Sequence, residues 1–336
     1  MTHELKKIIE AHIDADAQGV KTVLATVVAL KGSSYRRPGV SMLIREDGKM
    51  IGAVSGGCVE KEVFRQSDSV FKTDIAKVMT YDGRYRLGCE GILYILIEPF
   101  RPSGELITGF FQTLKKRKTF KMVSYFMEKD VESAALGSVF QLGETFLPLR
   151  PNLNQDKGMQ VFEQKMAPCF KLLIIGAEHD AVQLCSYATL TGWEVTILAS
   201  PSEEKSLKDF PGAQELLIME PGALSDHAID DKTAIVVMTH SFVKDLTYLL
   251  ALKTTRPIYL GLLGPAGRRE KILGELMERV PEIDENFLEN IHGPTGLDIG
   301  AETAQEIAIA ILAEILSVVR GKKPISLKNK EGSIHS

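Results

Sequence analysis

From residue 171 onward the sequence repeats one alternation: a short apolar run, a turn, then a segment with helical spacing. KLLIIG leads into a helical pattern over about 179 to 191. WEVTILAS and ELLIM follow, AIVVM leads into a helix at 242 to 252, and PIYLGLLG leads into GRREKILGELMERV. Short apolar runs without polar alternation are strands buried on both faces. When helices separate them, they build a parallel sheet covered on both sides. The second half is therefore expected to be a doubly wound α/β domain. The closing run AETAQEIAIAILAEILSVV reads as a long helix whose Ile, Ala and Leu side docks on that sheet.

The first half is organised differently. Leu5, Ile8, Ile9 and Ile13 line one face of an opening helix over residues 4 to 17. TVLATVVAL (22 to 30) reads as a strand, and SMLIR and MIGAV flank the turn EDGK as a hairpin. SGGCVEKEVFRQ changes from glycines to helical spacing, which puts Cys58 at a helix start, and LGCEG enters the buried-looking strand ILYILIEP. These patterns give a mixed α/β domain over 1–150. RPNLNQDKGMQ, poor in apolar residues, opens a linker over 151–167; the doubly wound domain spans 168–325, and 326–336 is a tail.

Composition narrows the function. A chain of 336 residues with 44% hydrophobic and 25% charged residues has material for two cores. Residues 1 to 165 carry 24 basic against 20 acidic side chains, and residues 166 to 336 carry 16 against 24. Neither half is basic enough for nucleic acid, whereas the first could suit an anionic ligand. No apolar run approaches the ~18–20 residues of a membrane span. The amphipathic, acid-containing N-terminus does not read as an export signal, so a cytoplasmic protein is expected. Cys58, Cys89, Cys169 and Cys185 are widely separated, with no CxxC and no zinc-type spacing, which argues against a disulfide scaffold or structural zinc.

Five segments hold the candidate site residues. IIGAEHDAVQL invites comparison with the dinucleotide fingerprint of Rossmann domains. Gly176 and Ala181 fit its outer positions, but Glu178 puts a Cβ and a negative charge where a phosphate would approach, and the next strand ends in Ala199 and Ser200 where an acid would bind ribose. An ordinary NAD(P) site is not expected. In SGGCVE, Gly56 and Gly57 permit close backbone approach, and the following helix would turn free N–H groups toward an anion or toward the Cys58 thiol. Cys58 then reads either as a reactive thiol or as a small helix-start residue, and Cys89 sits in a similar setting between Gly88 and Gly91. GSSYRRPGV brings hydroxyls, Ser33 among them, together with Arg36 and Arg37. It reads either as a clamp for a phosphorylated ligand or as a solvated hairpin loop. His240 follows AIVVM at the strand end where open α/β sheets place ligands, and there too a structural role competes with a site role.

Taken in order, GSSYRRPGVSMLI, GAVSGGCVEKEV, LGCEGILYILIEP, IIGAEHDAVQL, VVMTH, YLGLLGPAGRREKI and GPTGLDIGAETAQEIAIAILAEI resemble the xanthine dehydrogenase accessory protein family, XdhC/CoxI, over nearly the whole chain. The resemblance implies a cysteine-bearing XdhC-type N-terminal domain followed by a Rossmann-like domain. It also implies a carrier more than an enzyme: a protein that binds molybdenum cofactor, a molybdopterin. Such a carrier protects the cofactor while a cysteine desulfurase supplies a sulfido ligand, then passes it to a molybdenum hydroxylase. Cys58 is the residue assigned to the molybdenum contact, with no catalytic residue and a homodimer as the working form. Glu178 and Asp180 depart from the family's GAGHVA-like turn, and Ser241 and Phe242 replace an Asp and a second His after VVMTH. The competing reading is an NAD(P)-dependent oxidoreductase built on the Rossmann-like domain.

Overall fold

The computed structural model describes residues 1–32, 37–83, 91–153, 158–226 and 229–330, with Cys58, Ser225 and Asp226 described by backbone alone. The chain divides into two compact units, Met1–Pro168 and Cys169–Ser336. Among the described residues no helix is long and apolar enough to cross a membrane.

The first unit runs α1 (Thr2–Ala17), β1 (Thr22–Lys31), β2 (Ser41–Arg45), β3 (Met50–Gly52), α2 (Cys58–Thr73), β4 (Lys77–Asp82), β5 (Ile92–Pro99), α3 (Gly104–Lys115), β6 (Phe120–Phe126), β7 (Val131–Glu132), β8 (Gly137–Leu142), β9 (Thr145–Pro148) and β10 (Gln160–Met166). One six-stranded sheet has the order β3-β2-β1-β5-β4-β7, and a four-stranded sheet has the order β10-β6-β8-β9; both are antiparallel. Strand alternation decides what each face covers. Leu24 and Leu43 join Leu5, Ile8 and Ile9 of α1, Phe110 of α3, and Phe120 and Phe140 of the smaller sheet. The intervening Val23, Ala25, Val27, Met42 and Ile44 pack instead on Val59, Val63 and Val70 of α2. That is why β1, held between β2 and β5, is buried along most of its length.

The structure differs from the sequence expectation at 151–167. Residues 160–166 are not linker but β10, which pairs antiparallel with β6 over its full length. Its polar, mostly exposed pattern is that of an edge strand, which buries little and so carries a weak apolar signal.

The second unit runs β11 (Lys171–Ile175), α4 (His179–Leu190), β12 (Glu194–Ala199), β13 (Glu215–Ile218), β14 (Thr233–Val237), α5 (Phe242–Leu252), β15 (Tyr259–Leu262), α6 (Ala266–Arg279), α7 (Glu285–Glu289), β16 (Ile291–His292) and α8 (Ala304–Arg320). Its sheet is parallel throughout, in the order β13-β12-β11-β14-β15-β16. Leu172 and Ile174 face the core shared with α4 and α8, while Leu173 and Ile175 face α5, α6 and α7. A sheet buried on both faces explains the unbroken apolar runs of the sequence.

One buried acid joins the two sheets of the first unit. Glu98 on β5 is fully buried, and its carboxyl accepts hydrogen bonds from Ser138 N–H at 2.9 Å and Ser138 Oγ at 2.6 Å on β8. Burial pushes its pKa up to about 7, against the opposing pull of the Ser138 bonds and the Arg150 charge. Because the folded pKa lies above the unfolded one, the folded state retains a proton that the unfolded chain has released. Stability therefore falls as pH rises from about 4.5 through about 7 and levels above that. Unfolding of the full chain in urea at pH 5 and pH 8 should show wild type losing up to about 3 kcal/mol more than Glu98→Gln over this interval. Equal pH dependence of the two proteins would refute the assignment.

Candidate functional site

The described residues singled out in the sequence are divided between the two units. In the first unit the turn Ser55–Gly57 feeds directly into α2, whose first residue is Cys58. Gly57 has φ +105°, a left-handed conformation that disfavours any side chain, and among the described residues a Cβ added at Gly56 or Gly57 would meet nothing within 4 Å. Both glycines are exposed, so the turn's outer surface is open among the described residues. Its inner donors are not: the carboxylate of Glu60 accepts from Ser55 N–H at 2.6 Å and from Gly57 N–H at 2.5 Å. Glu60 is only 9% exposed. Two N–H groups ahead of the helix are thus claimed by the chain itself. The signal was legible, since an acid three residues after a helix cap commonly reaches back to the cap N–H.

Arg37 is exposed, and the loop that follows is anchored where Gly39 C=O accepts from Gln164 Nε2 of β10 at 3.1 Å. Ser33, Arg36 and Cys89, and the thiol of Cys58, lie outside the described residues. The other two cysteines are buried. Burial pushes the Cys185 thiol up to about 11, and Cys169 is similarly enclosed. With iodoacetamide at pH 8, Cys185 should react roughly a hundredfold more slowly in the folded chain than in the denatured one. Peptide mass spectrometry checks this, and rapid native labelling of Cys185 would contradict it.

In the second unit the order of strands reverses direction between β11 and β14, the position at whose carboxyl ends open α/β sheets place a ligand crevice. Gly176 leaves β11 with φ +132°, and a Cβ there would lie 2.4 Å from the Met238 carbonyl oxygen, so only glycine fits. Ala181 is fully buried beneath the turn. Both outer positions of the fingerprint thus do their usual packing work. Glu178 is the N-cap of α4, exposed, with no capping hydrogen bond from its side chain.

His240 has φ +56°, and its Nε2 lies 3.1 Å from Asp180 Oδ2 in the first turn of α4. The turn that carries it is held from below by Asp245, which is fully buried on α5. Asp245 accepts from Thr239 N–H at 3.2 Å and Thr239 Oγ1 at 2.5 Å, while its other oxygen takes the Arg268 guanidinium from α6. Alongside, Lys244 Nζ meets Glu203 Oε1 at 2.9 Å. Arg269, the neighbour of Arg268, donates from Nε to the Ile291 carbonyl at 3.4 Å. These arginines follow a strand end but serve the framework. Sequence reasoning missed Asp245 and Lys244, because SFVKD reads as an ordinary helix start until β14 and β15 are placed side by side.

Removing one partner of a buried ion pair leaves the other charge uncompensated. Asp245→Ala should cost ~3–5 kcal/mol in urea unfolding, with part recovered in Asp245→Leu/Arg268→Met. A loss below about 1 kcal/mol would mean the pair contributes little.

Among the described residues no group of three or more His, Cys, Asp and Glu side chains is arranged to hold a metal ion. The parallel sheet and its glycine turn define a Rossmann-type domain, joined in one chain to an antiparallel α/β unit with a cysteine-headed helix. Family models match both parts: residues 172–315 fit the XdhC Rossmann domain, and residues 15–82 fit the XdhC and CoxI family. This chain belongs to the XdhC and CoxI family.

A Bacillus subtilis protein named as a probable xanthine dehydrogenase subunit is 28% identical, covering 88% of this chain and 92% of its own. The molybdenum cofactor insertion chaperone PaoD of Escherichia coli is 26% identical, covering 95% and 90%. A crystal structure described as a xanthine dehydrogenase from Bacillus halodurans shares the fold. Its TM-score is 0.76 at 24% identity, over 96% of this chain and 98% of that one.

Proposed function

We propose that this chain is an insertion chaperone for the molybdenum cofactor. It binds the cofactor, shields it while a cysteine desulfurase supplies the sulfido ligand that replaces an oxo ligand, and hands it to a xanthine dehydrogenase-like molybdenum hydroxylase. The names of its relatives support the general role, since one is a cofactor insertion chaperone and another a probable xanthine dehydrogenase subunit.

The observation that supports it most directly is the glycine turn ahead of α2. Its outer side is open above Gly56 and Gly57, its backbone is fixed by Glu60, and a cysteine opens the helix. A carrier of a labile metal centre needs such a combination: a pre-shaped backbone, room for the ligand, and a soft sulfur donor that suits molybdenum. Cys58 is assigned the contact with the metal. Ser33, Arg36, Arg37 and Cys89 are assigned to the surroundings of the pterin and its phosphate, where arginine forks match phosphate geometry. The molybdenum belongs to the cargo. The chain works in the cytoplasm as a homodimer, as a carrier more than an enzyme.

The test is to purify the full chain from cells that make the cofactor and identify the bound pterin by mass spectrometry. About one pterin per protomer is expected, with Cys58→Ala retaining roughly a tenth or less. Pterin-free wild-type protein would sink the carrier reading, and unchanged loading of Cys58→Ala would take the thiol out of it. Light scattering of the same sample reads the dimer.

A further inference from the structure

The second unit keeps the architecture of a nucleotide-binding crevice but has rearranged its charges. A diphosphate held at the end of β11 would lie against the first turn of α4, where backbone N–H groups and the positive end of the helix attract it. Here that turn carries Glu178 at the N-cap, exposed and with its side chain uncommitted to capping, and Asp180 within the helix. Across the reversal in strand order, His240 reaches over from the end of β14 to Asp180 at 3.1 Å. This bridge joins the loops on either side of the crevice.

The bridge is not a loose surface contact. Thr239, which precedes His240, gives both its N–H and its hydroxyl to the fully buried Asp245, so the left-handed turn that aims the imidazole is pinned from the core. Asp180 has His240 as its partner, whereas Glu178 is exposed with no capping hydrogen bond. Lys244 is engaged by Glu203, and Arg268 by Asp245.

We propose that Glu178 and the Asp180–His240 pair bar the crevice of the second unit to nucleotide diphosphates. The glycine turn survives as packing: Gly176 stays because Met238 leaves no room for a Cβ. The phosphate seat above it has been given over to carboxylates. The ligand class compatible with this edge is uncharged or cationic. Given the function proposed above, a cargo bearing an appended nucleotide finds no seat for its diphosphate on this unit.

The test titrates the full-length protein with ADP, CDP and NADH by calorimetry, together with two variants. Glu178→Gln/Asp180→Asn removes the charges and keeps the shape, whereas Glu178→Gly/Asp180→Ala removes both charge and bulk. Thermal melting verifies that each is folded. Wild type should give no saturable signal, and at least one folded variant should give a saturable ADP isotherm, with a dissociation constant about tenfold or more below the weakest binding the wild-type titration would detect. Saturable binding by wild type overturns the proposal, as does a failure of both folded variants to gain affinity. These readouts do not depend on the cargo. Pterin-free protein would fail the chaperone reading while the ADP titrations still judged the bar, and co-purified pterin would leave the bar to the same titrations.

Discussion

A single buried carboxylate organises the carboxyl edge of the second unit's sheet. Asp245 sits with no exposure at the start of α5 and binds the turn that leaves β14 and the first turn of α6 that follows β15. A charge taken out of water is tolerated only with close opposite charge and filled hydrogen-bonding capacity. Meeting that requirement fixes Thr239, and Thr239 fixes the left-handed residue after it. The placement of His240 therefore rests on an acid buried beneath the crevice edge.

The first unit uses carboxylates in the same way at two depths. Glu60 lies near the surface and spends its oxygens on Ser55 and Gly57, so the backbone ahead of α2 holds its shape without a bound anion. Glu98 lies in the core and joins β5 to β8 through both donors of Ser138. The Ser138 hydroxyl also lies 2.8 Å from that of Ser124, so the junction extends to β6. An all-apolar contact between the two sheets would tolerate sliding, whereas these bonds admit one register.

Much of the architecture could be read in advance because its cause is local. KLLII, AIVVM and the helical pattern at 242 to 252 fall on β11, β14 and α5, since strands buried on both faces and a helix on one leave distinct periodicities. Elements whose cause is non-local were hidden. β10 exists because β6 needs a partner, and QVFEQKM carries little apolar pattern of its own. β16, only two residues long, owes its strand state to β15.

The site follows the same division. Gly176 was legible because a fingerprint glycine answers to the turn it sits in. The partner of His240 was not, since Asp180 lies 60 positions earlier in the chain and meets it only once β11 and β14 are neighbours. In the sequence Arg268 only follows a strand end, and its commitment to Asp245 emerged only with α5 and α6 in contact.

The late return of β10 has a practical side. The chain completes its smaller sheet only at Met166, two residues before the first unit ends at Pro168. Gln164 of the same strand holds the carbonyl of Gly39, 125 positions away. Separating the halves by a protease or by gene truncation inside the loop before β10 would strip β6 of a neighbour and release the Gly39 loop. The narrow stretch after Met166 is where a cut would leave the first unit whole.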